Sequence, residues 1–371
     1  MLTVKMFLVL IATLLWVPTI SLAETLKICY VSSNIGNILP RATDYNLQYA
    51  GFNVAIDNYN LTHSDYKILF QEFKNEKKFT DSIFMAEAIN WAKQENCLAI
   101  VGLVSSRDAM IAGEFLKKHQ IVGISSTATL DTIDQWYPYV LSVQMSAQDD
   151  CTAIFKFIKR RYNKKNVFIV SSPGNIFSIS YTEILKNLLP QAKVLTLTDK
   201  FLIDPSEANR LANNDTGAVL IYTTYPIDSF PSVNQLSPQI KGNIVIIGNT
   251  TWMEKQLFVQ QISSFQKFSK TFVFSGWDIN KLNTKFLDFK VKYKKQFGVI
   301  PGHDSTYDYD VANLIISCIN LKHITVAQLS SCLVNMKKYN GATGTIFMNR
   351  NKSHYLRKNF YLVELKDIIN F

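Results

Sequence analysis

The feature that most constrains this chain is an alternation of two patterns. Short apolar runs rich in β-branched residues recur at Leu26–Val31, Tyr66–Gln71, Cys97–Val101, Ile121–Ile124, Asn166–Val170, Lys193–Leu197, Ala218–Tyr222 and Asn243–Ile247. Between them lie stretches of helical periodicity at Tyr49–Asn58, Asp81–Ala92, Ser106–His119, Asp149–Arg161, Ser180–Leu188, Glu207–Ala212 and Asp228–Leu236. Strands that alternate with helices form parallel βαβ units, because a helix must carry the chain back to the starting edge. Runs that are apolar throughout belong to a sheet covered on both faces. The fold class is therefore α/β with parallel sheets.

The series is too long for one sheet of ordinary size. It is interrupted at Tyr137-Pro138-Tyr139, followed by Val140–Val143 and a new series from Asp149. A second break falls at Thr271–Trp277, ahead of helical patterns over Leu282–Phe297 and Tyr309–Asn320. Two α/β lobes are expected, with the chain crossing between them more than once. The 371 residues agree with two or three domains at about 150 residues each.

Hydrophobic residues make up 47% and charged residues 18%, which excludes wholesale disorder. The net charge of +10 is spread along the chain. Its densest groups, Lys74–Lys78, Lys156–Lys165 and Lys290–Lys295, accompany helical patterns and read as solvated faces, not as a nucleic-acid patch. At the start, Lys5 precedes an apolar run from Met6 to Val17, Pro18 breaks it, and Ser21-Leu22-Ala23 supplies small residues where a signal peptidase reads. This is the pattern of a secretory signal peptide cut after Ala23, too short for the roughly 20 apolar residues of a membrane anchor. Export permits disulfides. Of the five cysteines at least one is unpaired. Cys318 and Cys332, on consecutive helical patterns, are either a disulfide or two buried thiols; Cys29 and Cys97, in or beside strands, read as buried thiols.

Enzyme motifs are missing: the phosphate-binding, zinc-protease, dithiol and nucleophile-elbow signatures do not occur. The five histidines have no metal-ligand spacing. Gly341-Ala342-Thr343-Gly344 lacks the third glycine of a dinucleotide loop. The acid pairs Asp149-Asp150 and Asp308/Asp310 each read as acids opening a helix, placed by the helix dipole. Neither cofactor nor metal is expected.

Two polar turns stand out. Ser105-Ser106 follows the run Cys97–Val101 and opens a helix, with Ser105 and Asp108 in capping-box spacing. The bland role is an N-cap; the same exposed N–H groups and hydroxyls also suit an anion. Ser125-Ser126-Thr127-Ala128-Thr129 follows the run Ile121–Ile124, either as a surface turn with local bonds or as a hydrogen-bonding surface. Two such turns at the carboxyl ends of successive strands favour one shared pocket.

With these residues in view, the chain resembles the type I periplasmic solute-binding proteins of the branched-chain amino-acid (Leu/Ile/Val) transport type. The resemblance rests on Gly51–Asn60, Ile100-Val101-Gly102 with Ser105-Ser106, Ile124 through Thr129, and Tyr137-Pro138-Tyr139. Further on it rests on Phe297-Gly298-Val299-Ile300-Pro301, Tyr309-Asp310-Val311 and Tyr339–Phe347. It implies two Rossmann-like lobes joined by three crossovers, with ligand in the cleft. Lobe 1 would hold residues 24–146 with 276–345, and lobe 2 residues 147–275 with 346–371, after the leader 1–23.

By the same resemblance Ser106 and Thr129 would hold a ligand carboxylate, with Ser105 and the backbone around Thr127 helping, and Tyr225-Pro226 would supply an aromatic clamp. Ala147 and Thr250 stand where relatives keep acids for an ammonium group, and Ile176 stands where they keep an aromatic, with Phe177 adjacent. Asp149 is two residues from Ala147, so a local shift would restore an acid. Without one, leucine, isoleucine and valine should bind poorly, because a buried ammonium needs a counter-charge. The partners implied are a small polar ligand and an inner-membrane ATP-driven permease. A sensor module for a receptor is the alternative, and an enzyme on the same scaffold is the rival from another class.

Overall fold

The computed structural model describes residues 23–31, 49–73, 81–213, 217–240, 243–349, 351–357 and 359–370. The leader, apart from Ala23, and the basic group Lys74–Lys78 lie outside the described residues.

The apolar runs assemble into two sheets. β1 (Glu24–Tyr30), β2 (Tyr66–Glu72), β3 (Ala99–Val101), β4 (Gly123–Ser125) and β5 (Val140–Ser142) form the first, in the order β2-β1-β3-β4-β5, with every neighbouring pair parallel. The helices between them are α1 (Ala50–Thr62), α2 (Asp81–Gln94) and α3 (Ser106–His119).

The second series contains α4 (Ala147–Arg161), β6 (Asn166–Ser171), α5 (Ile176–Leu188), β7 (Lys193–Thr196), α6 (Pro205–Ala212), β8 (Ala218–Tyr222), α7 (Pro226–Leu236), β9 (Ile244–Gly248), α8 (Ile262–Phe265) and β10 (Lys270–Ser275). Then α9 (Thr284–Phe297), α10 (His303–Asn320) and α11 (Val326–Asn335) follow, and α10 packs on α1 of the first lobe. The fit between those two helices requires Gly51, whose missing Cβ would sit 2.0 Å from the Ser305 carbonyl oxygen. β11 (Tyr339–Gly341), β12 (Gly344–Phe347) and β13 (Leu356–Arg357) make a small antiparallel sheet. Next to β13, Ser353–Tyr355 lie beside β5: the Tyr355 N–H donates to the Ser142 carbonyl at 3.0 Å. Last, β14 (Tyr361–Glu364) adds to the second sheet antiparallel to β10, giving β14-β10-β9-β8-β6-β7, and α12 (Leu365–Asn370) ends the described chain.

The chain thus passes between lobes after β5, after β10 and between β12 and β14. Central strands β8 and β9 are buried along their whole length, as runs apolar on both faces require.

Two sequence expectations are corrected here. Cys29 and Cys97 are not free thiols but a disulfide, with Cα atoms 5.8 Å apart. Neighbouring parallel strands bring them to one face of the sheet, where both pack with Phe84 and Ile89. Of the two readings for Cys318 and Cys332, the structure takes the disulfide, tying α10 to α11; closing a loop this short stabilises by about 3 kcal/mol. Cys151 is free and buried. The second correction concerns Asp308 and Asp310. Helix α10 begins at His303, so these acids lie inside it and are buried. Both Asp310 oxygens reach the turn between β11 and β12. Oδ1 accepts from the Ala342 N–H at 2.6 Å, and Oδ2 from the Thr343 N–H at 2.9 Å and hydroxyl at 2.6 Å.

Candidate functional site

The first-lobe half of the site is built at two strand ends. After β3, Ser105 takes extended backbone and its hydroxyl accepts from the Asp108 N–H at 3.0 Å, so the N-cap role is realised. That cap starts α3 and turns Ser106 inward, where it is buried. Ser106 Oγ accepts from the N–H groups of Thr129 and Leu130 at 3.0 and 3.1 Å. Its lone pairs are engaged, and its hydroxyl hydrogen is left to donate to something else. After β4, Ser125 Oγ folds the polar turn by donating to the Leu103 carbonyl and accepting from Thr127 and Ala128 N–H. Thr127 spends its hydroxyl on the Val104 carbonyl at 2.5 Å. Ser106 and Thr129 are therefore brought together, whereas the side chains of Ser105 and Thr127 hold the turns in shape.

Second-lobe residues complete the arrangement. Tyr225 opens α7 and stacks on Phe177 of α5, ring centres 4.9 Å apart and planes at 14°. Burial, Asp228 and Asp108 raise the Tyr225 hydroxyl to about 12. Asp108 belongs to the first turn of α3, so its influence reaches Tyr225 from the other lobe. Phe177, not Ile176, is the aromatic of this segment: Ile176 is 63% exposed, while Phe177 is buried against Tyr225.

Thr250 follows β9 and is buried. Its N–H donates to Asp150 Oδ2 at 3.1 Å, and the Tyr181 hydroxyl donates to the same oxygen at 3.2 Å. Asp150 Oδ1 has no partner, and neither does the Thr250 hydroxyl. Burial drives the Asp150 carboxyl up to about 7, against the pull of those two donors. Burial also pushes the Tyr181 hydroxyl well above its ordinary range, and the Asp150 charge adds to this. The Thr129 hydroxyl, from the first lobe, is near enough to oppose that rise yet makes no hydrogen bond of good geometry. A seam of oxygens from Thr129, Tyr181, Asp150 and Thr250 thus runs from one lobe to the other.

Asp150 departs from the expectation that no carboxylate stands near Thr250. As one acid of a pair in the first turn of α4 it gave no sign of pointing inward. Asp149 is the other acid; burial raises its carboxyl against a bond with Ser146, the charges that act on it are those of Asp131, His354 and Lys352, and the Thr250 N–H goes to Asp150 instead. The acid therefore enters the seam one residue beyond Asp149.

Two open depressions, of about 460 Å³ along 276–283 and β12 and about 300 Å³ beside Gly298–His303, lie elsewhere. Glu254, His303 and Asp304 bring potential metal-ligating atoms within 4.8 Å of one another. However, they sit at the N-terminus of α10, where the helix dipole opposes a cation. Glu254 Oε2 already accepts from the Asp304 N–H at 3.4 Å. The approach needs Gly302, since a Cβ there would meet Glu254 Oε1 at 2.3 Å. This carboxylate serves as a helix cap supplied from a distant segment.

Two α/β lobes, three crossovers and polar turns facing one seam define a bilobal binding protein. The chain belongs to the periplasmic binding protein family, whose model matches residues 50–368. No curated protein matches it in sequence. Among solved structures it is similar to the branched-chain amino-acid transporter substrate-binding protein LivJ of Streptococcus pneumoniae, bound to isoleucine. The identity is 15%, covering 92% of this chain and 99% of that one, with a TM-score of 0.74. It is also similar to a solute-binding protein of an ABC transporter from Rhodopseudomonas palustris BisB5, bound to 3,4-dihydroxybenzoic acid, at 14% identity, 92% and 93% coverage and a TM-score of 0.72. A leucine-binding protein LivK from Thermotoga maritima gives 15%, 92%, 94% and 0.68. At such identities the likeness is one of fold.

Proposed function

We propose that this chain is an exported solute-binding protein that captures a small carboxylate-bearing ligand between its lobes and delivers it to an inner-membrane ABC permease. One observation carries the reading. Thr129 of the first lobe, whose N–H is held by Ser106, lies beside Tyr181 of the second, which bonds Asp150, itself bonded to Thr250, and along this seam the hydroxyls of Thr129 and Thr250 and one Asp150 oxygen are buried without hydrogen-bond partners. Buried polar atoms without partners are costly, and a ligand that supplies them recovers that cost. Ser106 offers its hydroxyl hydrogen and Thr129 its hydroxyl to the carboxylate, while Phe177 and Tyr225 present the apolar wall. Capture and release need only rotation about the crossovers, with no covalent step. In this reading residues 24–146 with 276–345 form lobe 1, and 147–275 with β14 and α12 form lobe 2. The leader 1–23 directs export to the periplasm.

The solved neighbours with isoleucine and with dihydroxybenzoate both bind carboxylates, which supports the anion end of the site. A thermal-shift screen of amino acids, aromatic acids, amides and small carboxylates tests the reading. A hit should also shrink the radius of gyration in small-angle scattering. If no compound in the screen raises the melting temperature, ligand capture at this seam is the wrong assignment.

A further inference from the structure

The larger of the two depressions lies among the crossovers, outside the seam. About 460 Å³ in volume, it is bounded by 276–283 of the second crossover, by the end of β12 where the third begins, and by 359–361 where the third enters β14. The rings of Trp277, Phe347 and Tyr361 contribute apolar wall. Several of its polar side chains are already spent on the fold. Asn283 Nδ2 donates to the Gly341 and Ala342 carbonyls at 3.1 and 3.0 Å, and its Oδ1 accepts from the Phe286 N–H at 2.9 Å. The Thr343 hydroxyl goes to Asp310 and the Thr345 hydroxyl to Asn340. Three donors are not spent. The exposed ammonium groups of Lys281 and Lys338 have no ion-pair or hydrogen-bond partner among the described residues. The Tyr361 hydroxyl accepts from Asn359 at 3.4 Å and keeps its own hydrogen to give.

A crevice whose free groups are donors, two of them charged, suits a partner rich in acceptor oxygens. One acid stands with them, Asp278, and its Oδ1 is engaged with the Asn280 N–H at 3.1 Å. Two ammonium groups against one carboxylate leave the site positive. A singly charged anion engages one lysine, and a single exposed pair is worth little in salt. An anion with two charged ends engages both. We propose that this crevice is a second binding site, for a small molecule bearing two or more carboxylate or phosphate charges, and that its occupant ties the second crossover to the third. The site goes beyond solute capture and shares no residue with the seam from Ser106 to Thr250. Lobe rotation re-spaces the crossovers, so whatever the crevice holds enters the energetics of closing.

Citrate and pyrophosphate, one for each kind of anionic group, are the probes, titrated calorimetrically into the full chain against sodium chloride of matched ionic strength. We expect at least one to bind saturably where chloride does not, and which of the two binds tells carboxylate from phosphate. Lys281→Ala and Lys338→Ala should each weaken that binding by about two- to fivefold, the range for exposed ion pairs, and the double variant by about tenfold or more. Both side chains are exposed, so the variants should fold, which circular dichroism checks. Hydrogen exchange should slow on binding at 276–283 and at 359–364 together. Four results overturn the proposal: binding by neither probe, heats that chloride reproduces, a double variant that binds as wild type does, or protection confined to one crossover. A probe lost in Ser106→Ala and kept in the double lysine variant sits in the cleft; that also overturns the crevice site, while the solute-binding reading stands.

Discussion

Two buried carboxylates, one on each side of the molecule, differ in a way that separates building from binding. Asp310, inside α10, meets the turn between β11 and β12 with both oxygens, taking two backbone N–H groups and one hydroxyl at 2.6–2.9 Å. The turn was shaped around it: a Cβ on Gly341 would stand 2.3 Å from Asp310 Oδ2. Asp150, inside α4, meets its two donors with one oxygen, at 3.1 and 3.2 Å, and leaves the other bare. Satisfied on both oxygens, a buried carboxylate is a fastener. Satisfied on one, it costs stability until something else arrives, and such sites are where function is found.

The largest effect should come from breaking the fastener. Asp310→Ala strands three buried donors and should cost about 3–5 kcal/mol, read by chemical denaturation. Gly341→Ala, which only crowds the same contact, should cost less, about 1–3 kcal/mol. A small loss in Asp310→Ala would erase the contrast between the two acids.

Next is the pH dependence of the ligand-free protein. The Asp150 carboxyl is raised to about 7 in the folded state, above its unfolded range. The folded form therefore holds the proton more tightly, and the stability linked to it is complete at acid pH. It is lost as pH rises from the unfolded value through about 7. Wild type should lose up to about 4 kcal/mol across that window from this group. Asp150→Asn should flatten the slope and be the more stable of the two at alkaline pH. A variant that kept the wild-type slope would show that Asp150 is not the group responsible.

Ser106→Ala comes third. It removes the hydrogen offered to the ligand and should lower affinity for a hit from the screen by about 1.5–3 kcal/mol, and Thr129→Ala should do likewise. Because Ser106 Oγ also accepts two backbone N–H groups, its variant should lose some stability as well. Smallest of all, Ile176→Ser should change neither stability nor affinity by more than about 0.5 kcal/mol, since that side chain faces solvent. A larger effect would return the aromatic position to Ile176.

Much of this was legible before any coordinates. Ala218–Tyr222 and Ser106–His119 were bounded correctly because the first is a closed apolar run and the second has a serine cap ahead of it. The α/β class is legible in the strand–helix alternation and the meeting of the two hydroxyl-rich turns in their places at strand ends, while the particular pair Ser106 and Thr129 comes only with the family resemblance. The start of α10 was missed because its N-cap is Gly302, which carries no side-chain cap for a sequence pattern to show. Its cap comes from Glu254, 50 residues away. Asp150 was hidden for a related reason: an acid in a first helical turn satisfies the dipole rule whichever way its side chain points. The Cys29–Cys97 pair depended on strand order, and a list of strands does not contain that order.

The placement of the cysteines has a consequence for how the protein would respond to its surroundings. Both disulfides sit in the first lobe, one across β1 and β3 and one between α10 and α11. The odd thiol, Cys151, is in the second lobe, buried, and held protonated by that burial. Disulfide exchange begins with an exposed thiolate. Cys151 is neither exposed nor a thiolate, so the folded chain carries an unpaired cysteine without a route to scrambling. A reducing agent would accordingly divide the molecule along its seam: one lobe would lose its staples, and the other would have none to lose.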